Sequence, residues 1–353
     1  MENLLFPFIE QDTKTYAQMM QMGQVNDWGI KLLRPESMWS LTRGKGVKVC
    51  VVDTGCDLEH PDLKANIIGY FNAYSGHVED KVSGHGTHVA GIIAAADNHI
   101  GTIGVAPEAS LLISKGLTDE GQGEWTKIAQ AIQWGIKEGA DIVNLSLGSN
   151  NAPPQILHDV IKWAVSKGVI VVAASGNDIS AKPGKRSNLK TAYPARYPEV
   201  IAVAAIDKNL NLAYFAQTDE NVSVLAPGTE IYSTWKNGGY AKLTGTSQAS
   251  PMIAGACALL KAYYKEQITN YKDMLYRIQT IAGTNYNLDH ISHNIGIGVP
   301  DFGNIELEEL QQNIEIDPEI FSIFENADPN NDEHWEELEQ LYSKKEPDDY
   351  WGR

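Results

Sequence analysis

Apolar residues along this chain fall into short runs that alternate with longer amphipathic stretches. Runs rich in β-branched and small apolar residues at 47–52, 110–114, 141–146, 169–174, 200–205 and 221–226 have the length and composition of buried strands. Between them, 126–138 and 156–167 carry apolar residues at helical spacing. Residues 85–96 predict a helix with small residues on its face, and 247–264 a long apolar helix. Strand–helix alternation predicts an α/β fold in three layers, a mostly parallel central sheet with helices on both faces. In such sheets the functional crevice lies beyond the carboxyl ends of the strands. Asp53, Ser146 and Asn177 stand at or just past predicted strand ends.

The 353 residues are 43% hydrophobic, enough for a large core. The alternation places the main domain at 23–305, after an N-terminal extension at 1–22. From 306 to 353 Glu and Asp replace β-branched residues, an acidic extension predicted helical in pieces at 332–342. A formal net charge of −17 without a Lys/Arg stripe argues against a nucleic-acid partner. The first apolar run is broken by Pro7 and closed by Glu10, too short for a secretory segment. No apolar stretch reaches the roughly 18 residues of a membrane span. Cys50, Cys56 and Cys257 show no metal-ligand spacing and are expected to be reduced and buried.

Three motifs carry the chemistry: Val-Val-Asp-Thr-Gly (51–55), Gly-His-Gly-Thr-His (84–88) and Gly-Thr-Ser-Gln-Ala-Ser-Pro (245–251). A serine hydroxyl is a weak nucleophile until an imidazole takes its proton and a carboxylate orients that imidazole. Alone, Ser247 would read as a helix N-cap and Gly176-Asn177 as a turn. The three motifs together resemble the signatures of the subtilisin-like serine proteases, the subtilases. The resemblance runs from about residue 24 to 264 and includes Gly-Lys-Gly-Val-Lys-Val (44–49), His-Pro-Asp-Leu-Lys (60–64), Gly-Val-Ala-Pro (104–107) and Ala-Pro-Gly (226–228). It implies the subtilisin-like fold, with Ser247 as nucleophile, His85 as general base and then acid, and Asp53 holding the imidazole. It also implies that Asn177 donates its amide to the oxyanion.

Further residues carry over by position. Ser146, Leu147 and Gly148, with Ala174, Ser175 and Gly176, match the segments lining the pocket for the residue before the cleaved bond. Ala192 matches its floor, which implies broad specificity with a large side chain preferred. Asp178 is expected at the rim, within reach of Lys or Arg. Gln248 stands where the family usually has an oxidisable Met, and Ala-Tyr-Phe-Ala (213–216) replaces commoner serines. The resemblance implies calcium, with side-chain oxygens from Gln24, Asp62 and Asn98 and carbonyls from Ala96, Ile100 and Thr102. The acidic stretch 328–333 lacks the EF-hand pattern and reads as a solvated turn.

Among subtilases the chain most resembles the bacterial intracellular enzymes. Leu5, Phe6, Pro7 and Phe8 match their inhibitory N-terminal segment, an alternative to an ordinary surface-packed terminus. A cytoplasmic protease acting on proteins or peptides, made as a zymogen and forming a homodimer, is what that likeness implies. Two other functions stay open at this point: a non-catalytic peptide-binding scaffold, and a maturation protease that docks one partner through 306–353.

Overall fold

The computed structural model describes residues 23–282 and Trp335. Leu5, Phe6, Pro7 and Phe8, the extension 1–22, and the end of the main domain lie outside the described residues, as does 306–353 apart from Trp335. Trp335 falls within the predicted 332–342 helix and is helical and buried.

Two short helices, α1 (Trp28–Leu33) and α2 (Glu36–Trp39), lead into β1 (Lys48–Asp53) and β2 (Ile67–Asn72). Next come α3 (His85–Ala94), β3 (Ser110–Lys115), α4 (Trp125–Lys137), β4 (Ile142–Leu145), α5 (Gln155–Ser166) and β5 (Ile170–Ala174). The chain continues through β6 (Ile201–Ile206), β7 (Val224–Pro227), a hairpin of β8 (Ile231–Trp235) and β9 (Gly239–Leu243), α6 (Thr246–Tyr264) and α7 (Tyr271–Ala282).

Strands β1 to β7 form one sheet in the order β2-β3-β1-β4-β5-β6-β7, and every neighbouring pair is parallel. Strand pleating sends alternate residues to opposite faces. In β1, Val49 and Val51 enter one apolar cluster with Ile92, Ile93, Met252 and Leu259 of α3 and α6. Cys50 and Val52 enter the other, with Ile128, Ile132, Val160 and Ile161 of α4 and α5. The fold is therefore the expected three-layer α/β arrangement, and all three cysteines are free and buried. Among the described residues, no helix is long and apolar enough to cross a membrane.

The strand order fixes where a site can form. From β1 the chain moves to one side, to β3 and β2, and from β4 it moves to the other. The carboxyl ends of β1 and β4 therefore flank a crevice where the winding reverses. Asp53 ends β1, and Ser146 directly follows β4.

The pattern reading erred in a few places. It missed β2, an edge strand with Ile68 and Tyr70 exposed, and the β8–β9 hairpin. It carried α3 two residues too far. The helix stops at Ala94, and the Ala96 amide instead donates to the Asp62 carbonyl at 2.8 Å, opening the 96–102 loop. The strand expected at 221–226 runs from Val224 to Pro227.

Candidate active site

His85 begins α3 just after Gly84, and its ring lies against the end of β1. Its Nδ1 is 2.7 Å from Asp53 Oδ1, and both residues are buried. The same carboxylate oxygen accepts the Thr54 amide at 2.7 Å, which fixes the carboxylate relative to its own backbone. Gly86 allows this approach: a β-carbon there would stand 2.1 Å from the Gly55 carbonyl oxygen. The Gly86 amide donates to Thr54 Oγ1 at 3.0 Å, joining helix and turn.

Two charged residues missed in the sequence hold this side. Asp80 caps α3 from outside: Oδ1 accepts the Gly84 amide at 2.8 Å, and Oδ2 accepts the Thr87 amide at 3.2 Å. A carboxylate is favourable at a helix N-terminus. Lys115, buried at the end of β3 beside Asp53, donates to the Thr54 carbonyl and to Asp119 Oδ1, the latter at 2.7 Å. Burial alone would lower the pKa of His85. The charge and hydrogen bond of Asp53, with the charge of Asp80 behind, outweigh burial and hold it above its ordinary value. His88, one turn on, is different. Burial pushes its pKa down to about 3, and its Nε2 faces the Ile231 and Ala241 carbonyls at 3.0 and 3.1 Å, so it serves as a neutral link to the hairpin.

Ser247 is the second residue of α6, and the N-cap is Gly245, so Ser247 does not itself cap the helix. Its Oγ donates to the Ser146 carbonyl at 3.2 Å. Pro251 lies inside the helix and has no N–H for the Ser247 carbonyl four residues back. Ser146 Oγ fills that vacancy, donating to the Ser247 carbonyl at 2.9 Å. Behind it, Asn144 Nδ2 donates to Ser146 Oγ at 2.9 Å, and Ser250 Oγ donates to Asn144 Oδ1 at 2.8 Å. This buried relay clamps the first turn of α6 to the end of β4.

Asn177 follows β5 and Gly176. Its Oδ1 accepts the Thr246 amide at 2.9 Å and Thr246 Oγ1 at 3.0 Å. Those donors fix the amide orientation, so Nδ2 is turned away from Thr246. Nδ2 lies 3.2 Å from the point where a β-carbon on Gly245 would stand, and Gln248 Oε1 lies 3.0 Å from the same point. Gln248 is buried, and its Nε2 has no hydrogen-bond partner among the described residues.

The expected pocket segments also come together. The Ala192 amide donates to the Ser175 carbonyl at 2.8 Å. Ser149, next after Gly148, exchanges two backbone hydrogen bonds with Tyr193 at 2.9 and 2.8 Å. Both expected walls, the one at Ser146, Leu147 and Gly148 and the one at Ala174, Ser175 and Gly176, are thus tied to the segment carrying Ala192, the expected floor. Asp178 is not the open rim charge the sequence suggested. Its Oδ1 accepts Ser180 N and Oγ at 2.9 and 2.6 Å, and its Oδ2 accepts Ser187 Oγ at 2.9 Å. These bonds, Ser180 foremost, hold its pKa below the usual carboxylate value.

Gln24, Asp62, Ala96, Asn98, Ile100 and Thr102 are neighbours as well. Gln24 Nε2 reaches the Ala96 and Thr102 carbonyls at 2.9 and 3.2 Å. Asp62 Oδ1 accepts Asn98 Nδ2 at 3.0 Å, and its Oδ2 accepts the Thr102 amide and Tyr240 Oη, each at 3.0 Å. The Ile100 amide donates to Asn98 Oδ1 at 3.1 Å. Among the described residues no group of three or more His, Cys, Asp or Glu could hold a metal ion.

Comparison with known proteins shows the family. The sequence model of the Subtilase family matches residues 44–298. An intracellular serine protease of Paenibacillus polymyxa is 43% identical over 253 residues, covering 70% of this chain and 76% of that protein. The major intracellular serine protease of Bacillus subtilis (strain 168) is 43% identical over 269 residues, 74% of this chain and 81% of that protein. Subtilisin DY of Bacillus licheniformis is 40% identical over 244 residues, 69% of this chain and 86% of that protein. With most of its length matched in this way, the chain belongs to the subtilase family and is a serine endopeptidase.

Proposed function

We propose that Ser247, His85 and Asp53 hydrolyse peptide bonds through an acyl-enzyme on Ser247. The observation that carries this reading is the buried 2.7 Å contact between Asp53 Oδ1 and His85 Nδ1. Asp53 accepts a hydrogen bond from the Nδ1–H of His85, which keeps the proton on Nδ1 and leaves Nε2 as the basic nitrogen. His85 takes the Ser247 proton during attack on the carbonyl and gives it to the departing amine. Water then repeats the sequence on the acyl-enzyme, with His85 as base and Ser247 as leaving group. Asn177 Nδ2 and the Ser247 backbone amide supply hydrogen bonds to the oxyanion, the amide being among the unpaired donors at the start of α6.

The substrate lies along Ser146, Leu147 and Gly148 and along Ala174, Ser175 and Gly176 as an added strand, with its large side chain toward Ala192. The names of the relatives from Paenibacillus polymyxa and Bacillus subtilis support a cytoplasmic site of action. On the same likeness, Leu5, Phe6, Pro7 and Phe8 act as an inhibitory segment and the protein is a homodimer, which sedimentation of the full chain tests.

Calcium fits the loop at 96–102. The Ala96 and Thr102 carbonyls converge on Gln24, and Asp62 contributes a carboxylate beside Asn98. With the Gln24 and Asn98 amides turned so that their oxygens replace the Nε2 and Nδ2 now facing the Ala96 and Thr102 carbonyls and Asp62, the set is all oxygen and suits a hard cation. Gln24, Asp62 and Asn98 would hold it with side chains, and Ala96, Ile100 and Thr102 with carbonyls. It would supply stability to the loop, and no chemical step passes through it. Chelation is expected to lower the melting temperature of the native protein, and Asp62→Asn to abolish that sensitivity. An unchanged melting curve after chelation removes the metal.

A fluorophosphonate probe tests the catalytic reading directly, on the full chain and on a chain lacking its first 20 or so residues, with Ser247→Ala as control. Labelling that disappears in Ser247→Ala supports the triad. Labelling confined to the shortened chain supports inhibition by the N-terminal segment, and equal labelling of both removes that segment's role. No labelling of either folded form would leave the scaffold function.

A further inference from the structure

We propose that the acidic extension is an intramolecular partner of the catalytic domain. Its segment 332–342, anchored by Trp335, covers the outward face of α4 as an added layer, and so is not a free arm for docking another protein.

Trp335 is helical, 2% exposed, and a member of the apolar cluster that α4 and α5 build against their side of the sheet. The face of α4 that meets the sheet is fixed by contacts. Ser114 Oγ of β3 donates to the Ala131 carbonyl at 3.0 Å, and a β-carbon on Gly135 would stand 2.4 Å from Cys50 Sγ of β1. Ile128, Ala131, Ile132 and Gly135 therefore point inward. At about 3.6 residues per turn, Gln130 and Gln133 point the opposite way. The outward stripe of a surface helix is normally solvated. Gln130 is nevertheless 1% exposed and Gln133 0%. Strands β1, β2 and β3 lie beneath α4, and α5 lies beside it. The cover over the two glutamines comes from another part of the chain.

The sequence of the extension suits that seat. Trp335, Leu338 and Tyr342 recur at helical spacing, with Asp332, Glu333, Glu336, Glu337 and Glu339 between and beside them. The helices beneath carry the opposite charge outside: Lys137 is exposed, and Lys127 and Lys162 are half-buried. Asp159 on α5 is already engaged by Gln155 Nε2 at 3.0 Å. Burying one tryptophan removes about 200 Å² from water, enough to hold a short helix that could not stand alone. An arm built to recruit another protein would keep its aromatic anchor open, and Trp335 is already inside the fold.

The test is the rate at which a glutamate-specific protease cuts within 306–353 of the full chain. Every sample carries Ser247→Ala, which removes the proposed nucleophile and with it self-cleavage. Trp335→Ala should speed the cut about 100-fold, because cutting follows local opening and the anchor is gone. Trp335→Phe should restore most of the resistance. Lys137→Glu, which leaves the extension untouched, should speed the cut about threefold, the weight of one surface charge pair. Hydrogen exchange locates the seat: amides of α4 should lose protection in Trp335→Ala while those of α3 and α6 keep theirs, which also reports a folded domain. An unchanged rate in both Trp335→Ala and Lys137→Glu overturns the proposal, and so does α4 protection that survives in Trp335→Ala. Resistance that falls on dilution of the chain also overturns it, because a second copy then supplies the cover.

Discussion

The two sides of the crevice are built from different materials. The histidine side, from β1, the 80–84 turn and α3, is charged: Asp53, Asp80 and Lys115 lie buried around His85 and the Asp53 turn. The serine side, from β4, β5 and α6, is neutral, held by Asn144, Ser146, Asn177, Thr246 and Ser250 through hydroxyl and amide bonds. Charge sits where a proton must be held, because a carboxylate sets the basicity of the imidazole. In the proposed mechanism, fixed neutral dipoles sit where negative charge appears only during reaction, and a resident anion there would repel it.

The largest effect that would break this comparison is on the histidine side. Asp53→Asn is expected to lower kcat by about 10⁴-fold, as in other enzymes of this type. It should also move the acid limb of the pH–rate profile. His85 is held above the ordinary histidine value of about 6.5, and activity needs its neutral form, so native activity is lost as pH falls through that raised pKa. Removing the Asp53 charge lowers the pKa and carries the limb to more acid pH. An acid limb that stays in place would refute the electrostatic role.

Asn177→Ala on the serine side should cost about 10²- to 10³-fold in kcat, the loss known for this donor in subtilisin itself. Its acid limb should not move, because no charge is removed. A limb that shifts as far as that of Asp53→Asn would erase the distinction between the sides. Ser250→Ala sharpens it at lower amplitude. Asn144 Oδ1 loses its partner, and chemical denaturation should show a loss of about 1–3 kcal/mol.

The smallest effect concerns Gln248. With no thioether beside the nucleophile, peroxide should leave native activity nearly intact, while Gln248→Met should become sensitive. Rapid inactivation of the native protein would locate the oxidisable group elsewhere.

The residues that define each side are legible in the sequence to different degrees. Asp53, His85, Ser247 and Asn177 sit in motifs whose neighbours are themselves constrained. Gly86 must let two backbones approach, and Thr54 must bond across to α3. Asp80 could not be read because it caps α3 from five residues before His85, outside the usual N-cap spacing. Asn144 and Ser250 look like ordinary polar residues in a strand and a helix, and only their pairing across layers gives them meaning. The hairpin did announce itself: Asn237-Gly238, both at positive φ, is a strong two-residue turn signal between β8 and β9, and the pattern reading passed over it. Buried parallel strands were found because continuous apolar runs need no partner to be recognised. The exposed edge strand β2 carries a comparable run, Ile67-Ile68-Gly69-Tyr70-Phe71, interrupted by Gly69, and was passed over.

The clamp between Ser146 and Ser247 joins residues 101 positions apart in the chain. Protein synthesis delivers the histidine side first and the serine last, and distant parallel pairings form slowly. A growing chain therefore carries Asp53 and His85 with no nucleophile, and even a finished chain is inert until α6 has docked on β4. On the proposed triad, the order of assembly keeps the protease silent until Ser247 has been made and α6 has docked. During refolding, probe labelling of Ser247 should appear no earlier than the native fluorescence signal; earlier labelling would show a site that forms without its frame.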